Sequence, residues 1–204
     1  CVGSVLVDTI ALVDRLPQED GRVEAQHFVV AGGGNASTAA VTIARLGLDV
    51  EFAGVVGPDE AGRTTLRQLA DEGVGTRHMV VRESAETARS MVIVSTSTGA
   101  RTIVTRTAQA LDSIPPGYRW VHIDKAGYPA LQATPLPRSY VSLDDGGQVE
   151  ELDLSRIDLY VPTAEILTSR FGGADPRTAA ATAMRAGAGA VIATAGAGGS
   201  MLAD

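Results

Sequence analysis

Short apolar runs alternate with amphipathic segments along most of the chain. The apolar runs predict strands at residues 2–7, 50–56, 120–124, 140–144, 157–162 and 190–194. Apolar positions at helical spacing predict helices at residues 36–46, 60–72, 164–171 and 177–186. Strands that alternate with helices indicate an α/β fold with a mainly parallel sheet and helices on both faces.

Three segments depart from this alternation. Residues 22–30 alternate apolar and polar positions, which is typical of an exposed strand. Residues 89–95 and 101–105 are strand-like and are joined by a Thr-Ser-Thr-Gly-Ala turn, which predicts a hairpin. Residues 200–202 fit the start of one more strand. We therefore expect a small antiparallel sheet beside the parallel one.

Composition excludes some classes of function. The chain has 204 residues and a formal net charge of −7, and no basic stretch offsets that charge, so a general nucleic-acid binder is excluded. No apolar run reaches membrane-spanning length, and Cys1 has no second cysteine for a disulfide, so we expect a cytoplasmic protein without membrane partners. The chain begins inside a predicted strand without Met, which predicts that it belongs to a longer protein.

A glycine-rich turn precedes the first predicted helix. Gly32, Gly33 and Gly34 let backbone approach a ligand closely, and Asn35 adds an amide donor and acceptor. Backbone N–H groups at the start of a helix point at whatever binds there. The glycines alone are equally consistent with a tight strand-to-helix turn.

Polar side chains follow several predicted strands, where ligands bind in open α/β sheets. They are Asp8, Asp124, Asp144, Asp145, Thr163, Glu165 and Thr194. For any single one of these residues, a helix cap or turn is an alternative interpretation.

The order of these motifs resembles the ribokinase-like (PfkB) carbohydrate kinases. The resemblance rests on Gly3-Ser4, Asp8, the turn at residues 32–38, Ala44-Arg45-Leu46-Gly47, residues 54–59 with Gly62, and Thr194-Ala195-Gly196-Ala197-Gly198-Gly199. It implies an α/β fold with a three-layer core, a mainly parallel sheet and a small β lid. It further implies one domain over residues 1–204, incomplete at its C-terminus, with the lid formed by residues 11–31 and 88–106.

The resemblance also implies a site. Residues implied to bind the sugar are Asp8, Gly33, Gly34, Asn35 and Thr38. Residues implied to bind the nucleotide are Thr194, Gly196 and Gly199. Glu165 is the residue implied to bind the metal ion. ATP with Mg²⁺ would donate the γ-phosphoryl group.

Three departures from the family pattern bear on function. Thr38 stands where the family helix usually carries Asn, whereas Asn35 comes earlier, as in ketohexokinase-like members. The family's Asn-x-x-Glu motif would fall at residues 163–166. Neither of its two residues is matched here, and Glu165 lies one position before the place of the motif's Glu. The Gly-Ala-Gly-Asp motif, which carries the catalytic base, is absent. We therefore expect that base beyond Asp204 and an inactive 204-residue chain; a genuine truncation is the alternative.

The expected function is ATP-dependent phosphorylation of a primary hydroxyl of a small sugar, with a ketose as the first candidate. A nucleoside kinase of the same fold and a non-catalytic sugar- or nucleotide-binding protein are the alternatives. Apolar lid residues, among them Phe28, Val30, Met91, Ile93 and Ile103, predict a homodimer through the lid.

Overall fold

A computed structural model of the chain describes residues 1–146 and 149–204. These residues fall into two units. The amino-terminal unit is Val5–Gln109, and the carboxy-terminal unit joins Cys1–Ser4 to Ala110–Asp204. No helix within the described residues is long and apolar enough to span a bilayer.

The amino-terminal unit carries a four-stranded sheet and two helices. Its elements are β1 (Leu6–Val13), β2 (Ala25–Gly33), α1 (Asn35–Arg45), β3 (Val55–Val56), α2 (Glu60–Asp71), β4 (Val80–Val81), β5 (Arg89–Ser95) and β6 (Arg101–Arg106). The described residues give the sheet order β2-β1-β5-β6, in which β1 is antiparallel to β2 and parallel to β5. The predicted hairpin is confirmed, because β5 and β6 pair antiparallel.

The first predicted strand is wrong in its position. β1 begins at Leu6 and continues to Val13, so Asp8 lies inside the strand and does not end it. Val2 forms only an isolated bridge, with Ile123 of the carboxy-terminal unit. The apolar run is broken because the backbone N–H of Ser4 donates to the Asp124 carboxylate, at 2.9 and 3.1 Å, instead of to a strand.

The register of the four-stranded sheet separates two apolar faces. Val30, Thr9, Met91 and Val104 lie side by side across the strands. The next row on that face contains Phe28 and Ile93. We call the surface formed by Phe28, Val30, Met91, Ile93 and Val104 the Phe28 face. Ile103 pairs with Val92 and lies on the opposite face, so it does not belong with the apolar residues grouped with it from the sequence.

The carboxy-terminal unit contains the parallel sheet. Its elements are β7 (Trp120–Asp124), α3 (Tyr128–Ala133), β8 (Tyr140–Asp144), β9 (Leu159–Val161), α4 (Ala164–Phe171), α5 (Pro176–Arg185), β10 (Ala190–Thr194) and β11 (Ser200–Ala203). The described strands follow the order β11-β10-β9-β8-β7; β7 to β10 are parallel, and β11 is antiparallel to β10. The predicted bounds of β7, β8, β10 and α4 are confirmed.

The link between β7 and β8 contains a short helix, although its three prolines make an uninterrupted helix unfavourable. α3 has six residues, and Pro129 lies in its first turn, where a missing backbone N–H costs nothing. Arg156 donates to the carbonyl oxygens of Leu131, at 2.6 Å, and Thr134, at 2.5 Å. The guanidinium thus satisfies carbonyl groups where the helix ends.

One face of the parallel sheet forms the core of this unit. Its side chains are Val121, Ile123, Val141, Leu143, Tyr160, Val191 and Ala193, and all of them are buried. The ring of Tyr160 meets Phe171 of α4 edge-on, with 5.9 Å between ring centroids. Consecutive parallel strands lie side by side in one direction, and right-handed crossovers then place α3, α4 and α5 on this face.

Candidate functional site

The glycine-rich turn leads from β2 directly into α1. Gly34 occupies the position before the helix with φ of 111°, a conformation that residues with a Cβ rarely adopt. Ser37 is buried, and its hydroxyl donates to the carbonyl oxygens of Gly33, at 2.8 Å, and Gly34, at 3.0 Å. The serine therefore fixes the turn from which α1 begins.

Asp8 lies beside this turn. It pairs in register with Ser90 of β5, and the Ser90 hydroxyl donates to the carboxylate Oδ1. Gly33 approaches from β2 so closely that a Cβ there would overlap the Asp8 carboxylate. The structure thus brings together two of the predicted sugar-binding residues, Asp8 and Gly33, around one carboxylate.

The other predicted sugar-binding residues lie along the start of α1. Gly34 precedes the helix, Asn35 is its first residue, and Thr38 is in its first turn. Asn35 and Thr38 are both exposed. Backbone N–H groups and exposed polar side chains therefore occupy the same end of α1, two to five residues from Gly33.

The Gly-Pro-Asp motif before α2 has a structural role. Asp59 caps the helix by accepting from Gly62 N at 2.8 Å, and it accepts from the hydroxyl of Thr87 at 2.7 Å and from its N–H at 3.0 Å. Burial raises the pKa of Asp59, but these hydrogen bonds outweigh burial and hold the pKa below its usual value. The motif joins α2 to the segment before β5, and the Asp59 carboxylate already accepts hydrogen bonds from both of these segments.

The predicted nucleotide residues lie at the carboxyl edge of the parallel sheet. Thr163 and Thr194 form a parallel bridge across β9 and β10, so the two threonines are neighbours. Thr163 also caps α4, because its hydroxyl accepts from Ile166 N at 3.2 Å. Glu165 is exposed in the first turn of α4, two residues from Thr163.

The segment after Thr194 forms a closed turn. Ala195 N donates to Gly199 O at 2.8 Å, and residues 196–198 make one 3-10 turn. Gly196 and Gly199 have φ of 55° and 84°, and nothing lies within 4 Å of a Cβ built on either residue. Residues 194–199 are all exposed, so the turn presents backbone to an incoming ligand.

Two strand-end acids have structural partners. Asp124 is buried and accepts from Ser4, from Ala126 N at 2.9 Å and from Gly127 N at 3.2 Å, so the turn interpretation holds for it. Asp144 accepts from Gly146 N at 2.8 Å.

Asp145 belongs to a buried cluster with Tyr160 and Arg170. Its Oδ2 accepts from the Tyr160 hydroxyl at 2.6 Å and lies 3.2 Å from the Arg170 guanidinium, while Oδ1 accepts from Val149 N at 2.5 Å. Burial and the hydrogen bond to Asp145 raise the pKa of Tyr160. The cluster ties α4 to the segment that follows β8, which makes Asp145 part of the core.

Sequence reasoning missed the hydrogen bonds that two serines make. Ser90 supports Asp8 from 82 positions away, and Ser4 binds Asp124 from 120 positions away. Pairs so far apart in sequence become visible only in the folded structure. Ser37 carries a local signal, since it comes four residues after Gly33 and its hydroxyl reaches the Gly33 carbonyl one helical turn back.

The described residues contain no group of three or more His, Cys, Asp or Glu side chains that could hold a metal ion. Mg²⁺ needs fewer protein ligands, because it is commonly bound by one or two carboxylates together with substrate phosphates. Glu165, exposed beside the Thr163–Thr194 bridge, fits such a shared site.

Comparisons with known proteins identify relatives of this chain. Mouse ketohexokinase is 27% identical over 132 residues, which cover 61% of this chain and 44% of that protein. Fructokinase of Klebsiella pneumoniae is 30% identical over 160 residues, covering 70% of this chain and 50% of that protein. The chain therefore spans half or less of the length of these two relatives.

The fold also matches solved structures. Arabidopsis thaliana ribokinase, solved with ribose and ATP, has a TM-score of 0.81 at 22% identity, over 98% of this chain and 72% of that one. The expected ribokinase-like α/β fold is thereby confirmed. The model of the pfkB family carbohydrate kinases matches residues 1–133, well over half of the sequence, and the chain belongs to that family.

Proposed function

We propose that the chain carries the sugar-binding and nucleotide-binding elements of an ATP-dependent kinase acting on a primary hydroxyl of a small sugar, with a ketose as the first candidate. The family is one of carbohydrate kinases, and the relatives above are named ketohexokinase and fructokinase. The similar solved chain holds ribose and ATP. Asn35, directly after the glycine turn, favours the ketohexokinase-like group.

The observation that carries the proposal is the position of the Asp8 carboxylate between Ser90 and Gly33. The Asp8 carboxylate would accept hydrogen bonds from neighbouring hydroxyl groups of a sugar. The N–H groups at the start of α1 would donate to the oxygen atoms of the same sugar. A site built from paired polar groups rejects analogues that lack the matching hydroxyl, because its own groups are then left unpaired.

The proposed nucleotide-binding elements are Thr194 and the turn that follows it. The Thr194 hydroxyl offers one donor and two acceptor positions, and the glycine backbone of residues 196–199 allows close approach of a ligand. Glu165 would hold Mg²⁺ together with nucleotide phosphates. When bound, the ion neutralises charge on the phosphoryl group during transfer.

We further propose that the catalytic base does not belong to the acids described above. Asp124 and Asp145 are buried and accept several hydrogen bonds each, and Asp144 closes a local turn. Asp8 is engaged by Ser90. Transfer needs a group that takes the proton of the sugar hydroxyl and donors for the developing charge, and residues 1–146 and 149–204 supply no free carboxylate in a glycine-rich turn opening a helix.

The two alternatives differ in what they bind. A nucleoside kinase would take a nucleoside in place of the free sugar, and a non-catalytic binding protein would take sugar or nucleotide without turnover. The lack of a candidate base among residues 1–146 and 149–204 also fits the non-catalytic binding protein, and no described contact favours the nucleoside kinase.

The Phe28 face supports a further proposal, a homodimer through the four-stranded sheet. Phe28, Val30, Met91 and Val104 are each more than half exposed. A second copy presents the same apolar rows, so a two-fold axis through this face would pair apolar surface with apolar surface.

The function is tested by a thermal-shift and calorimetry screen of fructose, ribose and adenosine, each with and without a non-hydrolysable ATP analogue. We expect stabilisation by a sugar, enhanced by the analogue, and no sugar-dependent ADP release from the 204-residue chain with ATP and Mg²⁺. Stabilisation by adenosine alone would favour the nucleoside kinase. Sugar-dependent ADP release would overturn the assignment of the base.

A further inference from the structure

The strand register extends the pair formed by Asp8 and Ser90 by one more polar residue. Asp8 on β1 lies opposite Ser90 on β5, and Ser90 lies opposite Thr105 on β6. Residues that lie opposite each other in paired strands point to the same face of the sheet. Asp8, Ser90 and Thr105 therefore form one row of side chains on the face opposite to the Phe28 face, and we call it the Asp8 row.

The rows on both sides of the Asp8 row are apolar. Their members are Leu6 and Gly33 in the preceding row, and Val29, Ile10, Val92 and Ile103 in the following row. Among the residues that pair in these three rows, Thr105 is thus the one side chain besides Asp8 and Ser90 that can hydrogen-bond. If this sheet face recognises a second polar group of a ligand, Thr105 is the residue that does so.

The Thr105 hydroxyl is accessible to a ligand. Thr105 is exposed, as is every residue of β6. Within residues 1–146 and 149–204, its hydroxyl makes one hydrogen bond, a long one of 3.5 Å to the carbonyl oxygen of Arg106. Ser90, by contrast, gives its one hydroxyl hydrogen to Asp8 and can only accept a further hydrogen bond. Thr105 is therefore the member of the Asp8 row that can donate to a ligand.

We propose that Thr105 is a specificity-determining residue of the sugar site and binds a second hydroxyl group of the substrate. This inference rests on the proposed function, because it takes Asp8 as the residue that binds the first hydroxyl group. The backbones of β1 and β6 are two strand spacings apart, about 10 Å. A substrate that contacts both side chains extends across β5 and carries hydroxyl groups on well-separated carbon atoms. The substrate class is a sugar hydroxylated at both positions, and a deoxy analogue that lacks either hydroxyl should bind more weakly.

Thr105→Val and Thr102→Val form a matched pair of variants. Thr102 is exposed on the same strand, but it lies opposite Ile93 and so points to the other face of the sheet. Each change removes one hydroxyl group, and valine has a high strand propensity, so neither should lower the melting temperature. Thr105→Val should weaken sugar binding about three- to tenfold, as the loss of one hydrogen bond does. Thr102→Val and the conservative variant Thr105→Ser should bind sugar as the unchanged protein does.

Deoxy analogues distinguish a direct contact of Thr105 from an indirect effect. The experiment is calorimetry with fructose and ribose, each with the set of analogues that lack one hydroxyl group. One analogue of the bound sugar should bind the unchanged protein and Thr105→Val equally well, because the hydrogen bond is already missing. Every other analogue that binds should lose affinity in Thr105→Val.

Three results would overturn the role of Thr105. They are an unchanged affinity of Thr105→Val for the parent sugar, an equal loss of affinity in Thr102→Val, and a loss in Thr105→Val that is the same for the parent sugar and every analogue. The unchanged protein separates this failure from failure of the proposed function. Binding of neither fructose nor ribose by the unchanged protein would refute the proposed sugar site and the role of Thr105 together.

Discussion

Ser90 on β5 donates a hydrogen bond to Asp8, its partner in register on β1. The bond orients a carboxylate that sugar hydroxyls would share. Asp8→Ala should weaken sugar binding by about 1–3 kcal/mol, the usual cost of leaving a buried polar partner unpaired. Isothermal calorimetry with the sugar selected by the screen measures this loss of binding free energy.

The control for Asp8 is Asp14→Ala, which removes an exposed carboxylate just beyond the end of the same strand. It should leave sugar affinity unchanged. Ser90→Ala should fall between the two variants, because the carboxylate remains but loses its orientation. An Asp8→Ala protein with the affinity of the unchanged chain would remove Asp8 from the sugar site.

Gly33 and Gly32 form a matched pair for steric tests. A Cβ at Gly33 would overlap the Asp8 carboxylate, whereas a Cβ at Gly32 meets only the Gln68 side chain at 3.5 Å. Gly33→Ala should cost on the order of 1–3 kcal/mol of stability, as overpacking does, and should abolish sugar binding. Gly32→Ala should stay within about 0.5 kcal/mol. Urea unfolding with calorimetry distinguishes them, and equal behaviour would refute the close approach.

Thr194 is predicted to contact the nucleotide. Thr194→Val keeps the shape of the side chain and removes its hydroxyl, so affinity for a non-hydrolysable ATP analogue should fall by about 0.5–1.5 kcal/mol. Thr182→Val on α5, whose hydroxyl donates to the Thr178 carbonyl oxygen, makes the same chemical change outside the proposed site and should have no effect. Sugar affinity without nucleotide should be the same in both variants. A Thr194→Val protein that binds the analogue normally would contradict the assignment.

The Phe28 face predicts a difference between two consecutive residues of β6. Val104 and Ile103 are 68% and 50% exposed but point to opposite faces. Val104→Asp should shift a dimer to monomer in sedimentation velocity at micromolar concentration, because it places a charge in the proposed interface. Ile103→Asp should leave the dimer intact. Monomers in the unchanged protein, or dissociation by Ile103→Asp alone, would rule out this interface.

His122 makes stability depend on pH. Burial lowers the pKa of His122, partly opposed by Asp144, and Nδ1 lies 2.9 Å from the Ser142 hydroxyl. The unfolded chain, with a histidine pKa near 6.5, binds the proton more readily than the folded one. The free energy of unfolding should therefore fall as pH drops below about 6.5 and stay level above it.

Melting temperatures between pH 5 and 8 test the histidine prediction. His122→Gln should flatten the decline, whereas His27→Gln, at an exposed position of β2, should leave the profile unchanged. If the His122→Gln protein declines as steeply as the unchanged chain, the pH dependence arises from other groups.

The sequence predicts elements well where one physical rule acts alone. The buried strands Trp120–Asp124, Tyr140–Asp144 and Ala190–Thr194 are continuous apolar runs, and their bounds agree with the structure. The start of α1 is predicted by its glycine turn. The run at residues 2–7 failed because Ser4 bonds a side chain 120 positions away, which local hydrophobicity does not report.

The residues of the candidate site could be predicted from the sequence, but the residues that hydrogen-bond or pair with them could not. Asp8 and Gly33 came from the resemblance, and their proximity follows from β1 pairing with β2. Ser90 and the Thr163–Thr194 bridge depend on register between strands far apart in sequence. Register is set by packing of the whole sheet, so a single sequence gives no direct signal for it.

The reversal of the chain at residues 194–199 has a practical consequence. β11 runs antiparallel to β10, with Ser200 opposite Thr194 and Ala203 opposite Val191. The backbone thus returns from the carboxyl edge of the sheet towards its amino edge. An affinity tag or a surface linker attached after Asp204 would emerge away from the Thr194 hydroxyl, so the immobilised protein should remain open to nucleotide in a biosensor flow cell.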